Sequence, residues 1–215
     1  MPQKYKLKTL SIEERKNITP QKALDILLKG NERFVKQIYS SKNYLQVLSE
    51  FSNEQKPFAF VLSCIDSRAP VEIIFDQGIG DLLSARIAGN VINEDIIASA
   101  EFATQIIGVK LIMILGHTNC GAMSACLNHK KDGHLKYLVD KIESVYLKHS
   151  TEIDTHQNPA DKLAEYNVKE SAQILITKSP IIRHLLQEKQ IQIATALYYL
   201  NSGKVQLIST ITQPS

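Results

Sequence analysis

Two cysteines and one histidine have the side chains and the spacing of a metal site. Cys64 follows the apolar run 58–63, while His117 and Cys120 follow a second apolar run at 111–116. A thiolate, an imidazole and a distant second thiolate form the ligand set of a zinc site that keeps one position for water. A closed structural site would need a fourth Cys or His nearby, and only one short knuckle, His117-x-x-Cys120, is present. The spacing therefore favours a catalytic zinc ion, one per chain.

Strands of a parallel β-sheet are expected to position these residues. Both apolar runs are short and uninterrupted, which is typical of strands that are buried on both faces. Because ligands bind beyond the carboxyl ends of such strands, two strand ends would bring the three side chains together. A third apolar strand at 82–88 and a helical pattern at 94–107 precede the run at 111, which predicts a strand–helix–strand crossover and hence a parallel sheet.

Helices and a C-terminal hairpin complete the predicted α/β fold, a central mostly parallel sheet flanked by helices. Thr19 and Pro20 are typical of a helix start, and apolar residues recur at helical spacing as far as Ile38. This pattern predicts an N-terminal helical arm whose apolar face packs on its own domain. The final strand patterns, separated by a turn at Asn201-Ser-Gly203, predict a β-hairpin at the sheet edge. The remaining helical and strand patterns lie at 135–146, 160–176, 180–187, 191–200 and 205–210.

Length and composition limit the domain count and the partners. The 215 residues, 44% of them hydrophobic, are enough for one domain with a sizeable core. We assign 1–215 to it, with the arm at 1–54 and the zinc-binding core at 55–215. The formal charge of +3 is small and spread along the chain, so it indicates neither nucleic acid nor a membrane surface as a partner.

The cysteine count and the N-terminal sequence predict where the protein works. Three cysteines, two of them assigned to the metal, leave only Cys126, so a disulfide framework is excluded. A reducing compartment, the cytoplasm, is the expected location. The first residues lack the apolar core of a secretory signal, and no stretch reaches the length of a membrane-spanning helix.

Asp66 and Arg68 follow the first predicted ligand closely enough to act beside the metal. In an extended segment, residues two apart project from the same side, so these two can meet as a charge-assisted ion pair. An ion pair on an ordinary surface is worth only about 0–1 kcal/mol, but the position next to Cys64 favours a role in the site. Held by Arg68, the Asp66 carboxylate would accept a hydrogen bond from an oxygen on zinc. Released, it could swing onto the metal and close the fourth position.

These motifs resemble those of the β-class carbonic anhydrases. The resemblance rests on Cys64-x-Asp66-x-Arg68 and on His117-x-x-Cys120, and it covers most of the chain. Further matching segments are Gln55-Lys56-Pro57, Pro70-x-Glu72-x-Ile74-Phe75-Asp76, Gly80-Asp81-Leu82, Arg86-x-x-Gly89-Asn90 and Ala100-Glu101-Phe102-Ala103. The resemblance implies reversible hydration of carbon dioxide to bicarbonate and a proton by zinc-bound hydroxide, with Asp66 and Arg68 as the catalytic residues.

The resemblance also implies a substrate pocket and an oligomer. In similar enzymes a glutamine at the position of Gln55 contributes to the pocket for the substrate oxygen, and Gly89 and Gly121 lie beside the metal. Their N-terminal helices lie across a neighbouring subunit, so we expect a homodimer, or a tetramer built from it. Leu83 stands where many relatives carry Phe, so the resemblance does not define the shape of the pocket. The absence of Trp favours the type in which Asp66 stays paired with Arg68.

Other functions remain open from the sequence. A non-catalytic zinc or thiol regulatory protein would use the same three ligands, although the Asp66-x-Arg68 pair argues against it. A hydrolase of the same fold could act instead on carbon disulfide or carbonyl sulfide. A nicotinamide dehydrogenase is disfavoured because Gly78-x-Gly80 lacks the third glycine of the dinucleotide fingerprint.

Overall fold

Helices and β-strands make up most of the described chain. The computed structural model describes residues 12–38, 44–50 and 52–214. The helices are α1 (Ile12–Lys16), α2 (Pro20–Val35), α3 (Tyr44–Glu50), α4 (Val71–Ile74), α5 (Glu94–Glu101), α6 (Gly121–Leu127), α7 (Leu135–Asp154), α8 (Pro159–Lys178) and α9 (Pro180–Gln187). The strands are β1 (Ala59–Ser63), β2 (Leu82–Arg86), β3 (Leu111–His117), β4 (Gln192–Tyr198) and β5 (Val205–Ile211). Residues 1–11, 39–43 and 51 of the predicted arm lie outside the described residues.

A five-stranded sheet with the order β2-β1-β3-β4-β5 organises the described chain. The first four strands are parallel to their neighbours, and β5 pairs antiparallel with β4. This confirms the predicted mostly parallel sheet with a hairpin at its edge. The strands β1 and β3 lie side by side, with Ser63 opposite Leu115, so the residues that follow them emerge at the same edge.

Helices cover both faces of the sheet, because side chains alternate between the faces along each strand. On one face, Ala59 and Val61 of β1 pack with apolar residues of α2 and α4. On the other face, Phe60 and Leu62 pack with apolar residues of α5, α8 and α9. Every residue of β1 and β3 is buried, as the uninterrupted apolar runs predicted.

The helix α2 packs its apolar face on its own chain, as its periodicity predicted. The hydroxyl of Thr19 accepts a hydrogen bond from the Lys22 backbone N–H at 3.2 Å, which caps the first turn. Leu24 and Leu27 are buried in the cluster that covers β1. At Gly30 a Cβ atom would lie 1.8 Å from the Phe75 carbonyl oxygen, so only glycine allows this close approach.

The buried side chain of Asn31 ties α2 to two other parts of the fold. Its Nδ2 donates to the carbonyls of Ile74, at 3.2 Å, and of Gly203, at 2.9 Å. Its Oδ1 accepts from the Val205 backbone N–H at 2.8 Å. One amide thus joins α2 to the end of α4 and to the turn of the C-terminal hairpin.

No helix in the described ranges is both long enough and apolar enough to cross a bilayer.

Candidate metal centre

Cys64, His117 and Cys120 converge at one edge of the sheet. Their ligand atoms all lie within 4.8 Å of one another, and all three residues are buried. Cys64 follows the carboxyl end of β1, His117 ends β3, and Cys120 directly precedes α6. The structure therefore brings together the three side chains that the sequence predicted would meet.

The ring of His117 is oriented so that one nitrogen faces the two sulfurs. Its Nδ1 lies 2.9 Å from the carbonyl of Thr118, which can only accept, so Nδ1 carries the proton and Nε2 keeps its lone pair. Nε2 is buried and has no hydrogen-bond partner among the described residues. Buried polar atoms are rarely left unpaired, and a metal ion would satisfy this one.

The loop that orients His117 is itself fixed to the neighbouring strand. The Thr118 backbone N–H donates to the Tyr198 carbonyl at 3.0 Å, at the end of β4. The Thr118 hydroxyl accepts from the Leu200 backbone N–H at 3.1 Å. The tautomer and the direction of the imidazole are thus set by the junction of β3 with β4.

The two sulfurs compete for one proton. The neighbouring Cys120 thiol, followed by His117 and the Gly89 N–H, lowers the pKa of the Cys64 thiol to about 4 against the opposing effect of burial. Sharing that proton and burial together raise the pKa of Cys120 well above its usual range. One thiolate is therefore already favoured, and a divalent cation would replace the shared proton. Two sulfurs and one neutral imidazole fit zinc.

Asp66 and Arg68 form a two-point ion pair beside the cluster, as the spacing predicted. The Arg68 Nε donates to Asp66 Oδ1 at 2.9 Å, and Nη2 donates to Oδ2 at 2.8 Å. The Arg68 backbone N–H adds a third bond to Oδ1 at 2.9 Å. These bonds hold the pKa of Asp66 well below its usual range. The Oδ2 atom lies 3.9 Å from His117 Nε2, which places the carboxylate at the border of the cluster.

Arg86 fixes the backbone that carries the first ligand. Its Nε donates to the Cys64 carbonyl at 3.0 Å, and its Nη2 donates to the Asp66 carbonyl at 2.6 Å. Arg86 ends β2 directly opposite Ser63 of β1, which explains its reach. Arg86 had no role predicted from the sequence, although its place in the Arg86-x-x-Gly89-Asn90 segment was a usable signal.

Gly89 lies against the cluster of Cys64, His117 and Cys120. Its backbone N–H donates to the Cys64 sulfur at 3.3 Å. Its φ of 65° is left-handed, and a Cβ there would lie 2.9 Å from the Cδ1 of Ile142 and 3.0 Å from the Cβ of Ala122. Both the backbone conformation and the lack of space require glycine. On its other side, the Gly89 carbonyl accepts from the Asn167 Nδ2 at 2.9 Å.

The knuckle between His117 and Cys120 is held from the start of α8. Asn119 has a left-handed φ of 53°, and its backbone N–H donates to Asp161 Oδ1 at 2.7 Å. Gly121 then begins α6, and a Cβ at this position would meet nothing within 4 Å. Gly121 therefore lies next to a ligand without packing against other atoms.

Gln55 is not brought to the cluster within this chain. It is exposed and precedes β1, whereas the ligands follow the carboxyl ends of the strands. The neighbouring Lys56 carbonyl accepts from the Arg15 guanidinium at 3.1 Å, and the same group donates to the Gly80 carbonyl at 2.9 Å, ahead of β2. Gln55 thus lies near the amino ends of the strands, at the opposite end of the sheet from the ligands.

Asn167 and Asp161 are the contacts that the sequence analysis missed. Both lie on α8, more than forty residues after Cys120, and neither belongs to a short motif. Nothing in their local pattern distinguishes them from other polar residues of a helix. Only the packing of α8 against the cluster shows what they contact.

The comparisons with known proteins agree on one protein family. The family described as Carbonic anhydrase matches residues 59–205. The protein named Carbonic anhydrase 2 of Mycobacterium tuberculosis is 34% identical over 195 residues, which cover 89% of this chain and 94% of that protein. The carbonic anhydrase of Mycolicibacterium smegmatis is 32% identical over 198 residues, which cover 90% of this chain and 95% of that protein.

Solved structures agree with the sequence comparisons. The β-carbonic anhydrase CafA of Aspergillus fumigatus has a TM-score of 0.73 at 27% identity, covering 89% of this chain and 92% of that chain. The Coccomyxa β-carbonic anhydrase has a TM-score of 0.71 and covers 96% of this chain and 90% of that chain, and at 22% identity it supports the fold alone.

Proposed function

Because the chain belongs to the carbonic anhydrase family, we propose that Cys64, His117 and Cys120 bind one zinc ion beside an orienting Asp66–Arg68 pair. The chain is a β-carbonic anhydrase, an enzyme that converts carbon dioxide and water reversibly into bicarbonate and a proton. The observation that carries the proposed site is the buried, unpartnered Nε2 of His117, which faces two sulfurs across less than 4.8 Å.

Zinc, when bound by these three ligands, supplies the Lewis acidity that lowers the pKa of water to about 7 and so provides the nucleophile at neutral pH. The rest of the reaction depends on residues of the chain. Arg86 holds the backbone from Cys64 to Asp66 through two carbonyls, so the first ligand and the Asp66 carboxylate keep their positions while substrate and product exchange.

Arg68 keeps Asp66 ionised and fixes the direction of its carboxylate. An ionised carboxylate only accepts hydrogen bonds, so Asp66 can bind the O–H of the nucleophile and turn the free lone pair of that oxygen toward carbon dioxide. The nucleophile then forms one C–O bond, and the electrons of one C=O π bond move onto a terminal oxygen. Water replaces the bicarbonate, and the proton passes to buffer.

Gly89 and Gly121 are proposed to line the substrate pocket. Each lies directly beside a ligand: Gly89 donates to the Cys64 sulfur, and Gly121 follows Cys120. At Gly121 a Cβ would meet nothing within 4 Å, so this position leaves room for a small linear substrate, whereas the space beside Gly89 is filled by Ile142 and Ala122 and Gly89 contributes its backbone. Substrate specificity thus depends on backbone position at these two residues.

We propose that the chain forms a homodimer through the side of β2. This strand lies at one edge of the sheet, and beside it an apolar groove of about 420 Å³ opens between β2 and α5. Leu83 and Phe102 line the groove, and Phe102 and Ile106 are 51% and 66% exposed. Exposed apolar surface of this kind is typical of a protein interface.

The position of Gln55 also supports a dimer. Since it lies near the amino ends of the strands, away from the ligands of its own chain, it can contribute to a substrate pocket only in a second copy. A β-carbonic anhydrase of Sordaria macrospora with a similar fold is described as tetrameric, and a tetramer built from two such dimers is compatible with this proposal.

Sedimentation equilibrium tests the dimer. The wild-type chain is expected to sediment as a dimer or tetramer at micromolar concentration, and Phe102→Glu is expected to shift it toward the monomer. Tyr137→Glu, at an exposed aromatic residue of α7, is the matched control and should leave the oligomer unchanged. A stable wild-type monomer would contradict the proposal.

The cytoplasmic location, the lack of a nucleic-acid partner and the single domain remain predictions.

Elemental analysis and a hydration assay on one purified sample test the site. About one zinc per chain is expected, together with fast hydration of carbon dioxide in a stopped-flow assay with a pH indicator. Hydrolysis of carbon disulfide or carbonyl sulfide, measured on the same sample, should be much slower. A zinc-free sample that hydrates carbon dioxide at full rate would refute the proposed ligands, and a zinc-loaded sample without turnover would indicate the regulatory alternative.

A further inference from the structure

Asn167 is a buried amide that reaches the metal cluster through one glycine. It lies on α8 and is only 2% exposed, although asparagine is usually found on protein surfaces. Its Nδ2 donates to the carbonyl of Gly89 at 2.9 Å. The two residues are 78 positions apart in sequence, so the contact depends on the docking of α8 against the cluster.

Gly89 in turn contacts the first ligand directly. Its N–H donates to the Cys64 sulfur at 3.3 Å, while its carbonyl is held by Asn167. Glycine adopts many backbone conformations at low cost, so steric effects within the residue would not hold Gly89 at its left-handed φ of 65°. The hydrogen bond on the carbonyl side therefore limits the rotation of the residue whose N–H faces the sulfur.

We propose that Asn167 is a positioning residue that acts through Gly89 to hold an N–H···S hydrogen bond on the metal ligand Cys64. This inference rests on the proposed metal site. Hydrogen bonds to a ligand orient it and adjust the charge that it donates, and their removal typically costs about 10- to 100-fold in metal affinity or activity. The bond from Gly89 withdraws charge from the sulfur, which partly offsets the strong donation of two thiolates.

A matched pair of alanine variants separates positioning from packing. Asn167→Ala removes the donor to Gly89. Ser171→Ala removes a buried hydroxyl, also 2% exposed, one turn later on the same face of α8, and Ser171 has no hydrogen bond to the ligand-bearing loops in the described chain. Asn167→Ala leaves the Gly89 carbonyl without this donor and should lose more stability than Ser171→Ala, so zinc release is compared under conditions in which both variants are fully folded.

Zinc release to a chromogenic chelator is the first measurement. Asn167→Ala is expected to release zinc about 10- to 100-fold faster than the wild type, whereas Ser171→Ala should match the wild type. In the cobalt-substituted proteins, the sulfur-to-cobalt charge-transfer band should move to longer wavelength in Asn167→Ala alone, because its Cys64 sulfur keeps more charge. Equal release rates and equal spectra for the two variants would overturn the proposal.

A measurement on the wild type keeps the proposal testable if Asn167→Ala does not fold. In protein loaded with ¹¹³Cd, the Gly89 amide proton should show scalar coupling to the metal through the N–H···S bond, and the Asn167 side-chain amide protons should exchange slowly with solvent. The absence of either signal would overturn the proposal. If the wild type binds neither zinc nor cadmium, the proposed function fails together with this inference. If the wild type is loaded and only the Asn167 effects are missing, this inference alone fails.

Discussion

The guanidinium of Arg68 binds both oxygens of Asp66, at 2.9 and 2.8 Å, while one of those oxygens lies 3.9 Å from the ligand nitrogen of His117. The pair therefore combines a fixed direction with a position at the border of the cluster of Cys64, His117 and Cys120. In the described structure Arg68 holds the carboxylate through both of its oxygens.

Asp66→Asn tests the proposed acceptor. The variant keeps the shape of the side chain but replaces one acceptor oxygen by an amide that donates, so it can no longer orient the nucleophile in the same way. Zinc content should stay near one per chain, while the hydration rate should fall by roughly 10²- to 10⁴-fold. A fully active Asp66→Asn enzyme would contradict the role proposed for Asp66.

Cys64→Ala and His117→Ala test the ligands. Each removes one of three donors, and neither is expected to retain zinc or activity. Cys126→Ala is the matched control because Cys126 lies in α6, a few residues after Cys120, and is buried in the same apolar cluster, but it is not one of the three residues whose ligand atoms converge. It should keep zinc, and loss of zinc from Cys126→Ala with retention in Cys64→Ala would refute the assignment.

Gly30→Ala tests the docking of α2. A Cβ at this position would lie 1.8 Å from the Phe75 carbonyl, so the helix must move, which should lower the free energy of unfolding by roughly 1–3 kcal/mol. Gly121→Ala is the control for stability, because a Cβ there meets nothing within 4 Å. Urea unfolding of both variants is the measurement. An unchanged Gly30→Ala midpoint would show that α2 does not approach Phe75 this closely.

The buried thiol of Cys126 is expected to make the free energy of unfolding depend on pH. Burial, with a smaller effect of Glu143, raises the pKa of this thiol from 9.0 to about 11. The unfolded chain releases the proton at lower pH than the folded chain, so the contribution of Cys126 is complete below pH 9 and is lost as the pH rises toward 11. The loss should be about 2–3 kcal/mol, on the basis of about 1.4 kcal/mol per pKa unit.

Urea unfolding between pH 7 and 11 measures this effect. The wild type should lose more stability than Cys126→Ala over that range, since the variant has no thiol to titrate at this position. The difference between the two proteins isolates Cys126 from the other groups that titrate in the same range. Parallel curves for the two proteins would show that the thiol ionises equally easily in the folded and unfolded chains.

The convergence of the ligands was predictable because it follows from topology. Cys64 and His117 come at or after the ends of two buried strands, and the carboxyl ends of parallel strands meet at one edge. The pairing of Asp66 with Arg68 was also predicted, but from the two-residue period of an extended chain, whereas the structure forms it in a turn. In that turn the Ala69 N–H donates to the Asp66 carbonyl at 3.0 Å, and the Arg68 N–H donates to Asp66 Oδ1 at 2.9 Å.

The contacts made by α8 could not be predicted in this way. The bonds from Asn167 to Gly89 and from Asp161 to Asn119 depend on the angle and the depth at which a helix docks, and no local pattern encodes them. The sequence also predicted a helical pattern only at 135–146, whereas α7 continues to Asp154 past a break at His149. There the ring of His149 stacks on Tyr166 of α8 with centroids 4.0 Å apart, a tertiary contact that the periodicity did not include.

The three proposed ligands come from two places that are far apart along the chain, so a bound zinc ion would be a cross-link as well as a reagent. An ion bound only by the folded chain adds about 4 kcal/mol of stability when its free concentration is a thousand times its dissociation constant. Chelation would then do more than silence the enzyme, because it would also lower the melting temperature and expose the polypeptide to proteases. The lifetime of the protein in a cell would consequently rise and fall with the supply of zinc.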